Sequence, residues 1–337
     1  MPHEFDSNRI GNPMPYNIRV MREFYNLHPY FAFIPKSGVV VRDRLSQERI
    51  HRLRSPQSDR VPAGWLDVTA NNHGFFCRHD YPFVPQRSDD TFILGVFGGS
   101  VANWFTLLEE EALVARLQAL AQLRGRRAIV LNFASSGFKQ PQSFFCLEYF
   151  CSLPQKLDAV LLIDGFNEAA LSWKNWQGGV DHTFPHIVLM QMFPDIPCVA
   201  NVSLDASSVT REKIGHQIAD YWARMSIRMS RSCENQHIPF VHLLQPNQYY
   251  SRREFSPEER EFALSETTPY REPVKAIYPL MVKAIPAIRA AGASCHDGST
   301  LFDGVREPVY SDNCCHYNQL GNDLLRDCVI RLLEQAL

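Results

Sequence analysis

The stretch that decides the fold is Phe92-Ile93-Leu94-Gly95-Val96-Phe97-Gly98-Gly99-Ser100. Its nearly unbroken apolar run is the pattern of a strand buried on both faces of a parallel sheet. Two glycines at its end permit a sharp, crowded turn that a side chain would block. The Ser100 hydroxyl is thereby delivered to the carboxyl end of a strand, where open α/β sheets hold their ligands. The same residues also fit a plain strand-to-helix turn whose serine only caps the next element.

The chain beyond this strand alternates. Leu107, Leu108, Ala112, Leu113, Leu117, Leu120 and Ala121 recur at helical spacing and predict a helix over 107–123. Thr106 and Glu109 are placed to form its capping box. Strands are expected at 128–133, 158–163 and 240–244, and helices at 142–152, 211–236, 269–291 and from Leu320 to the C-terminus. Strands alternating with helices give a three-layer α/β/α sandwich with a mainly parallel sheet, covering 91–337. Residues 1–90 have little periodicity. They read as an N-terminal appendage packed on that domain, with a short helix near Ile18–Tyr25 and an aromatic cluster of Tyr25, Tyr30, Phe31 and Phe33.

Bulk properties narrow the function classes. The 337 residues carry a net charge of -2, which leaves no basic footprint for nucleic acid. No apolar run is long enough to span a bilayer, and the first residues lack the basic and apolar regions of a secretory signal, so a cytoplasmic protein is expected. The nine cysteines are scattered without a Cys-x-x-Cys and read as reduced thiols. No Cys/His set has zinc-ligand spacing, so neither metal nor cofactor is expected. Cys314 and Cys315 stand apart because they adjoin His316.

Four segments fall at strand ends or just before the last helix: Gly98-Gly99-Ser100, Asn132-Phe133-Ala134-Ser135-Ser136-Gly137, Gly165-Phe166-Asn167-Glu168, and Asp312-Asn313-Cys314-Cys315-His316. Together they supply a hydroxyl, a glycine N–H, a carboxamide and an imidazole near a carboxylate, which is the set that acyl transfer through a serine ester requires. The histidines elsewhere offer less. His296-Asp297 read as loop residues, and His182 and His186 lack the glutamate of a zinc protease helix.

Taken in order, the Ser, Gly, Asn and His of these segments resemble the four blocks of the SGNH hydrolase superfamily, the GDSL-like lipases and esterases. The resemblance covers about 91–337, and His28-Pro29-Tyr30-Phe31 and Asn72-His73-Gly74-Phe75 are similar to a leader found in some bacterial members. It implies a flavodoxin-like fold with Ser100 as nucleophile, His316 as base, and an oxyanion hole of Ser100 N–H, Gly137 N–H and the Asn167 amide. Glu168 stands where the family often has Asp, a change expected to matter little because the amide is the working group. The family usually carries Asp-x-x-His, but position 313 is Asn and Asp312 lies four residues before His316. Asp312 serves if the loop bulges by one residue. Otherwise Asn313 or a backbone carbonyl does, giving a Ser-His dyad. A charged partner stabilises an imidazolium better than an amide, which favours Asp312.

The connection from Ala169 to about Thr210 is long for an α/β unit and is expected to form a lid, with Trp173 and Trp176 lining the substrate pocket, or else an insertion with its own core. The expected function is hydrolysis of an ester, of carboxylesterase or deacetylase type, on a short or medium acyl ester or an acetylated carbohydrate or metabolite. An O-acyltransferase and an inactive binding module on the same fold are the alternatives, and the oligomeric state is open.

Overall fold

The computed structural model describes residues 23–44, 52, 64–86, 89–186 and 209–337. Two short strands, β1 (Tyr25–His28) and β2 (Ala32–Pro35), pair antiparallel as a hairpin. The main sheet is built from β3 (Thr91–Gly98), β4 (Arg127–Asn132), β5 (Ala159–Asp164), β6 (Phe240–Leu244) and β7 (Cys295–Asp297). All its pairings are parallel and the spatial order is β4-β3-β5-β6-β7. Helices α1 (Ser100–Gln118), α2 (Gln142–Ser152), α3 (Phe166–Gln177), α4 (Arg211–Glu234), α5 (Pro257–Ala263), α6 (Arg271–Ala290) and α7 (Gln319–Ala336) fill the connections. This is the three-layer α/β/α architecture that the alternating pattern implied.

Alternate residues of β3 face opposite layers, as the period of two requires. Phe92, Leu94 and Val96 join one apolar cluster with Leu113 and Leu117 of α1 and Leu325 of α7. Ile93 and Phe97 join a second cluster with Leu131 and with Leu147 and Phe150 of α2. Phe31, Phe75 and Tyr81 belong to this second cluster, so the N-terminal segment shares a core with the sheet. Polar bonds reinforce the contact: Tyr81 Oη donates to Asn132 O at 2.7 Å, and Gln142 Nε2 donates to Phe31 O at 2.7 Å. Of the expected aromatic cluster, Tyr25, Phe31 and Phe33 are buried and Tyr30 is exposed.

Five sequence expectations come out differently or fall partly outside the described residues. Helix α1 begins at Ser100 rather than 107, because the Gly98-Gly99 turn feeds straight into it. Thr106 therefore lies inside the helix, where its hydroxyl donates back to Ala102 O at 2.8 Å instead of capping. The Ala169–Thr210 connection opens as α3, which includes Asn167, while residues 187–208 with Phe193 lie outside the described ones. His296 and Asp297 belong to the edge strand β7, which three residues were too few to reveal. The helix expected near Ile18–Tyr25 falls mostly outside the described residues, and Tyr25 opens β1.

One buried polar cluster ties the first helix to the last. Glu109 of α1 accepts from Gln319 Nε2 at 2.5 Å and from Arg326 Nη1 at 2.6 Å, both on α7. Because α1 begins at Ser100 and α7 follows His316, this cluster fixes the two helices that carry those residues. Burial and the nearby Asp323 raise the Glu109 carboxyl to about 7, although Arg326 and Gln319 pull the other way. An acid whose pKa is raised on folding contributes stability while protonated. Its contribution is complete below its ordinary value of 4.5 and is lost as pH rises through 7. Denaturant unfolding between pH 5 and pH 8 should show stability falling with pH, and Glu109→Gln should flatten that slope; an unchanged slope would count against this assignment.

Candidate active site

The parallel sheet brings the carboxyl ends of its central strands together, and the site is assembled there. At the end of β3 the chain turns through Gly98, whose φ is +139°. A side chain at 98 would collide with the Ile163 carbonyl of β5. A side chain at 99 would collide with Asn167 Nδ2 and stand 3.0 Å from Phe138 O. These two glycines let β3 pass beneath its neighbours and place Ser100, which is partly exposed, in the first turn of α1. The N–H groups of a first turn have no partner within the helix and sit at the positive end of its dipole.

The imidazole beside Ser100 comes from the loop before α7. His316 Nε2 lies 2.7 Å from Ser100 Oγ, and His316 Nδ1 lies 2.5 Å from Asp312 Oδ2. The four-residue spacing is absorbed by Asp312 itself. Its Oδ1 accepts the backbone N–H groups of Cys314, Cys315 and His316 at 2.9, 3.1 and 3.2 Å, folding the loop into a tight turn that returns the imidazole to Oδ2. The bond from Ser311 N to His316 O at 2.9 Å and the Tyr310–Tyr317 bridge close the turn from outside. Asn313 is exposed, and its carbonyl accepts from Tyr249 Oη at 2.7 Å.

The other two segments converge on the same corner. Asn167, in the first turn of α3, donates through Nδ2 to Phe138 O at 2.7 Å. Gly137 immediately precedes that carbonyl, with φ +82°, and is partly exposed. Gly99, Gly137 and Asn167 are thus neighbours, although they are far apart in sequence. Glu168, given little weight on sequence grounds, bridges two blocks. Its Oε1 accepts Gln140 N and its Oε2 accepts Gly165 N, each at 2.8 Å. Burial, reinforced by the nearby Asp164, pushes its carboxyl up. Burial pulls the adjacent Lys139 ammonium down, against the attraction of Glu168 and Asp181. Lys139 Nζ donates to His182 O at 2.7 Å, which accounts for His182 as part of this buried network.

Trp173 is 2% exposed in the main core, and Trp176, at 5.1 Å between ring centroids, packs half-buried against it. Such burial suits a support beneath α3 better than an exposed lid face. His186 is also buried, which lowers its imidazole to about 3 and keeps it neutral.

Sequence reasoning missed the clamp that holds the His316 loop. Immediately after β6, Pro246 O accepts from Tyr317 Oη at 2.6 Å and Asn247 Nδ2 donates to Cys314 O at 3.1 Å. Gln248 Nε2 donates to Asp312 O at 2.9 Å, and Tyr249 Oη reaches Asn313 O. Upstream of the loop, the buried Glu259 accepts Val309 N and Tyr310 N while paired with Arg253 Nη1 at 2.9 Å. The available signal was position: 246–249 sit at the carboxyl end of a strand, like the other blocks. The structure also contains a second Ser-His-Asp series, in which Ser226 Oγ meets His242 Nδ1 and His242 Nε2 meets Asp164 Oδ1, each at 2.7 Å. Burial opposes the charge on His242, but Cys295 and Asp164 outweigh it and raise the imidazole to about 10. At 0–3% exposure this series is closed to substrate and joins α4, β6 and β5 from inside.

Among the described residues no helix is long and apolar enough to cross a membrane. All eight cysteines among them are free thiols.

No family model and no curated protein sequence matches the chain. Solved structures similar to it include a GDSL-like lipase from Bacteroides thetaiotaomicron, with 12% identity, 75% of this chain and 93% of that one covered, and a TM-score of 0.43. A lipase/acylhydrolase from Enterococcus faecalis shows 14% identity, 73% and 96% coverage, and a TM-score of 0.43. A catalytic mutant of an acetylxylan esterase from Geobacillus stearothermophilus shows 14% identity, 72% and 94% coverage, and a TM-score of 0.43.

The clamp makes a measurable prediction. Asn247 is fully buried, and its Oδ1 also accepts Tyr249 N at 3.0 Å. Asn247→Ala leaves a buried carbonyl and a buried N–H without these partners and should lower unfolding free energy by about 2–4 kcal/mol in urea. A loss within error of zero would mean that 246–249 do not hold the His316 loop.

Proposed function

We propose that this protein is a serine ester hydrolase of the SGNH type, acting through an acyl-enzyme on Ser100. The observation that carries the reading is the hydrogen-bonded series Ser100–His316–Asp312 at a partly exposed strand end. The buried Ser226–His242–Asp164 series has the same order but no access.

The chemistry follows from the geometry. A serine hydroxyl attacks an ester carbonyl only if a base removes its proton as the C–O bond forms. His316 Nε2, at 2.7 Å, is placed to take that proton. Asp312 holds Nδ1–H, so Nε2 carries the lone pair, and the carboxylate stabilises the imidazolium that forms. The carbonyl oxygen becomes an oxyanion facing Ser100 N–H, Gly137 N–H and Asn167 Nδ2. When the tetrahedral intermediate collapses, the proton on Nε2 passes to the departing alcohol. Water then repeats the sequence on the acyl-Ser100 ester, giving its proton to Nε2 and releasing the carboxylic acid and the free serine.

Aryl acetates such as p-nitrophenyl acetate suit a first assay, because their leaving group departs readily and asks little of the pocket. A fluorophosphonate should label the protein once, at Ser100 by peptide mapping. Ser100→Ala and His316→Ala should each lower kcat by about 10³-fold or more. Asn167→Ala should cost about 3 kcal/mol of barrier, roughly 10²-fold in kcat. Labelling elsewhere, or an active Ser100→Ala variant, would overturn the assignment.

A further inference from the structure

The base loop carries a feature that ester hydrolysis does not use. Cys314 and Cys315 directly precede His316, and their sulfurs lie 3.6 Å apart. One ligand atom from each of Cys314, Cys315 and His316 lies within 4.8 Å of the other two. Tetrahedral zinc has Zn–S near 2.3 Å and Zn–N near 2.0–2.1 Å, which sets an S···S edge of about 3.8 Å and an S···N edge of about 3.5 Å. The two thiols already stand near that edge length, and neither S···N separation exceeds its edge by more than about 1.3 Å.

The orientation of the imidazole adds a second, independent reason. A zinc-bound histidine characteristically gives its other ring N–H to a carboxylate, which fixes the tautomer and raises its basicity. His316 is held in this way, with Nδ1 on Asp312 Oδ2. The tautomer that suits a general base therefore also suits a soft-metal ligand. Ser100 Oγ, beside Nε2, is within reach as an oxygen donor for the fourth position.

We propose that Cys314, Cys315 and His316 form an inhibitory site for a soft divalent cation, represented by Zn2+, that competes with Ser100 for the catalytic imidazole. The inference rests on the assignment of His316 as the base. On binding, the Cys314 and Cys315 thiols release their protons to solvent as two Zn–S bonds form. The Nε2 lone pair is donated to zinc and no longer accepts from Ser100 Oγ. No electron changes hands, and a chelator reverses every step. Consecutive residues supply the ligands, so the sequence contains none of the spaced pairs by which zinc sites are usually recognised.

The test uses the full chain, reduced and metal-free. Titration with Co2+ should produce thiolate-to-cobalt charge-transfer absorption in the near ultraviolet. Zn2+ should bind at one equivalent, lower p-nitrophenyl acetate hydrolysis at least 10-fold, and be reversed by EDTA. Cys314→Ser should keep metal-free activity and weaken zinc binding at least 10-fold, and replacing both Cys314 and Cys315 by serine should abolish the cobalt band. Absence of that band in the wild type, or equal zinc inhibition in Cys314→Ser, would overturn the proposal. Fluorophosphonate labelling of the metal-free protein separates the two claims. A labelled Ser100 without a cobalt band rejects the metal site alone, and an unlabelled Ser100 rejects the hydrolase reading whether or not the band appears.

Discussion

The site depends on how one carboxylate divides its two oxygens. Asp312 Oδ1 gathers three successive backbone N–H groups, and Oδ2 holds His316 Nδ1. The first task shapes the loop, and the second orients the imidazole within it. Neither depends on a three-residue spacing between carboxylate and imidazole. A loop tightened around its own aspartate returns the fourth residue to that aspartate, so the extra residue is accommodated as part of the turn.

This loop has meaning only because the sheet brings it to Ser100. Buried parallel strands end at one edge, and β3, β4, β5 and β6 each deliver a segment there: Ser100, the Gly137 turn, Asn167 and the 246–249 clamp. Glu109 fastens α1 to α7 behind them, and Glu259 fixes the chain just upstream of the loop. A distance of 2.7 Å between residues 216 positions apart is thus held by buried polar contacts on several sides. Such support suits chemistry that tolerates little displacement of nucleophile from base.

Much of this arrangement was legible in the sequence, for identifiable reasons. Strands buried on both faces give long apolar runs, so β3 to β6 stood out within a residue or two. Helices with one wet face, such as α4 and α6, showed their period. The helices that were misread are the most buried ones. Residues 101–109 of α1 are buried all round, and so is most of 166–175 in α3. A helix without a polar face has no stripe to detect. Thr106 looked like a cap because its back-bond to Ala102 leaves no trace in sequence. The four blocks of the site were readable as residue types at strand ends or just before the last helix. The clamp at 246–249 and the carboxylates of Glu109, Glu168 and Glu259 were not, because their roles are set by partners brought close only on folding.

The central claim is that Asp312, one residue out of the usual register, orients His316 toward Ser100. Proton NMR of protein labelled with 15N at histidine tests it most directly. A far-downfield resonance bound to Nδ1 of His316 should be present in the native protein, absent in Asp312→Asn, and retained in Asn313→Ala. A resonance that survives Asp312→Asn, or one that is lost in Asn313→Ala, would contradict the account.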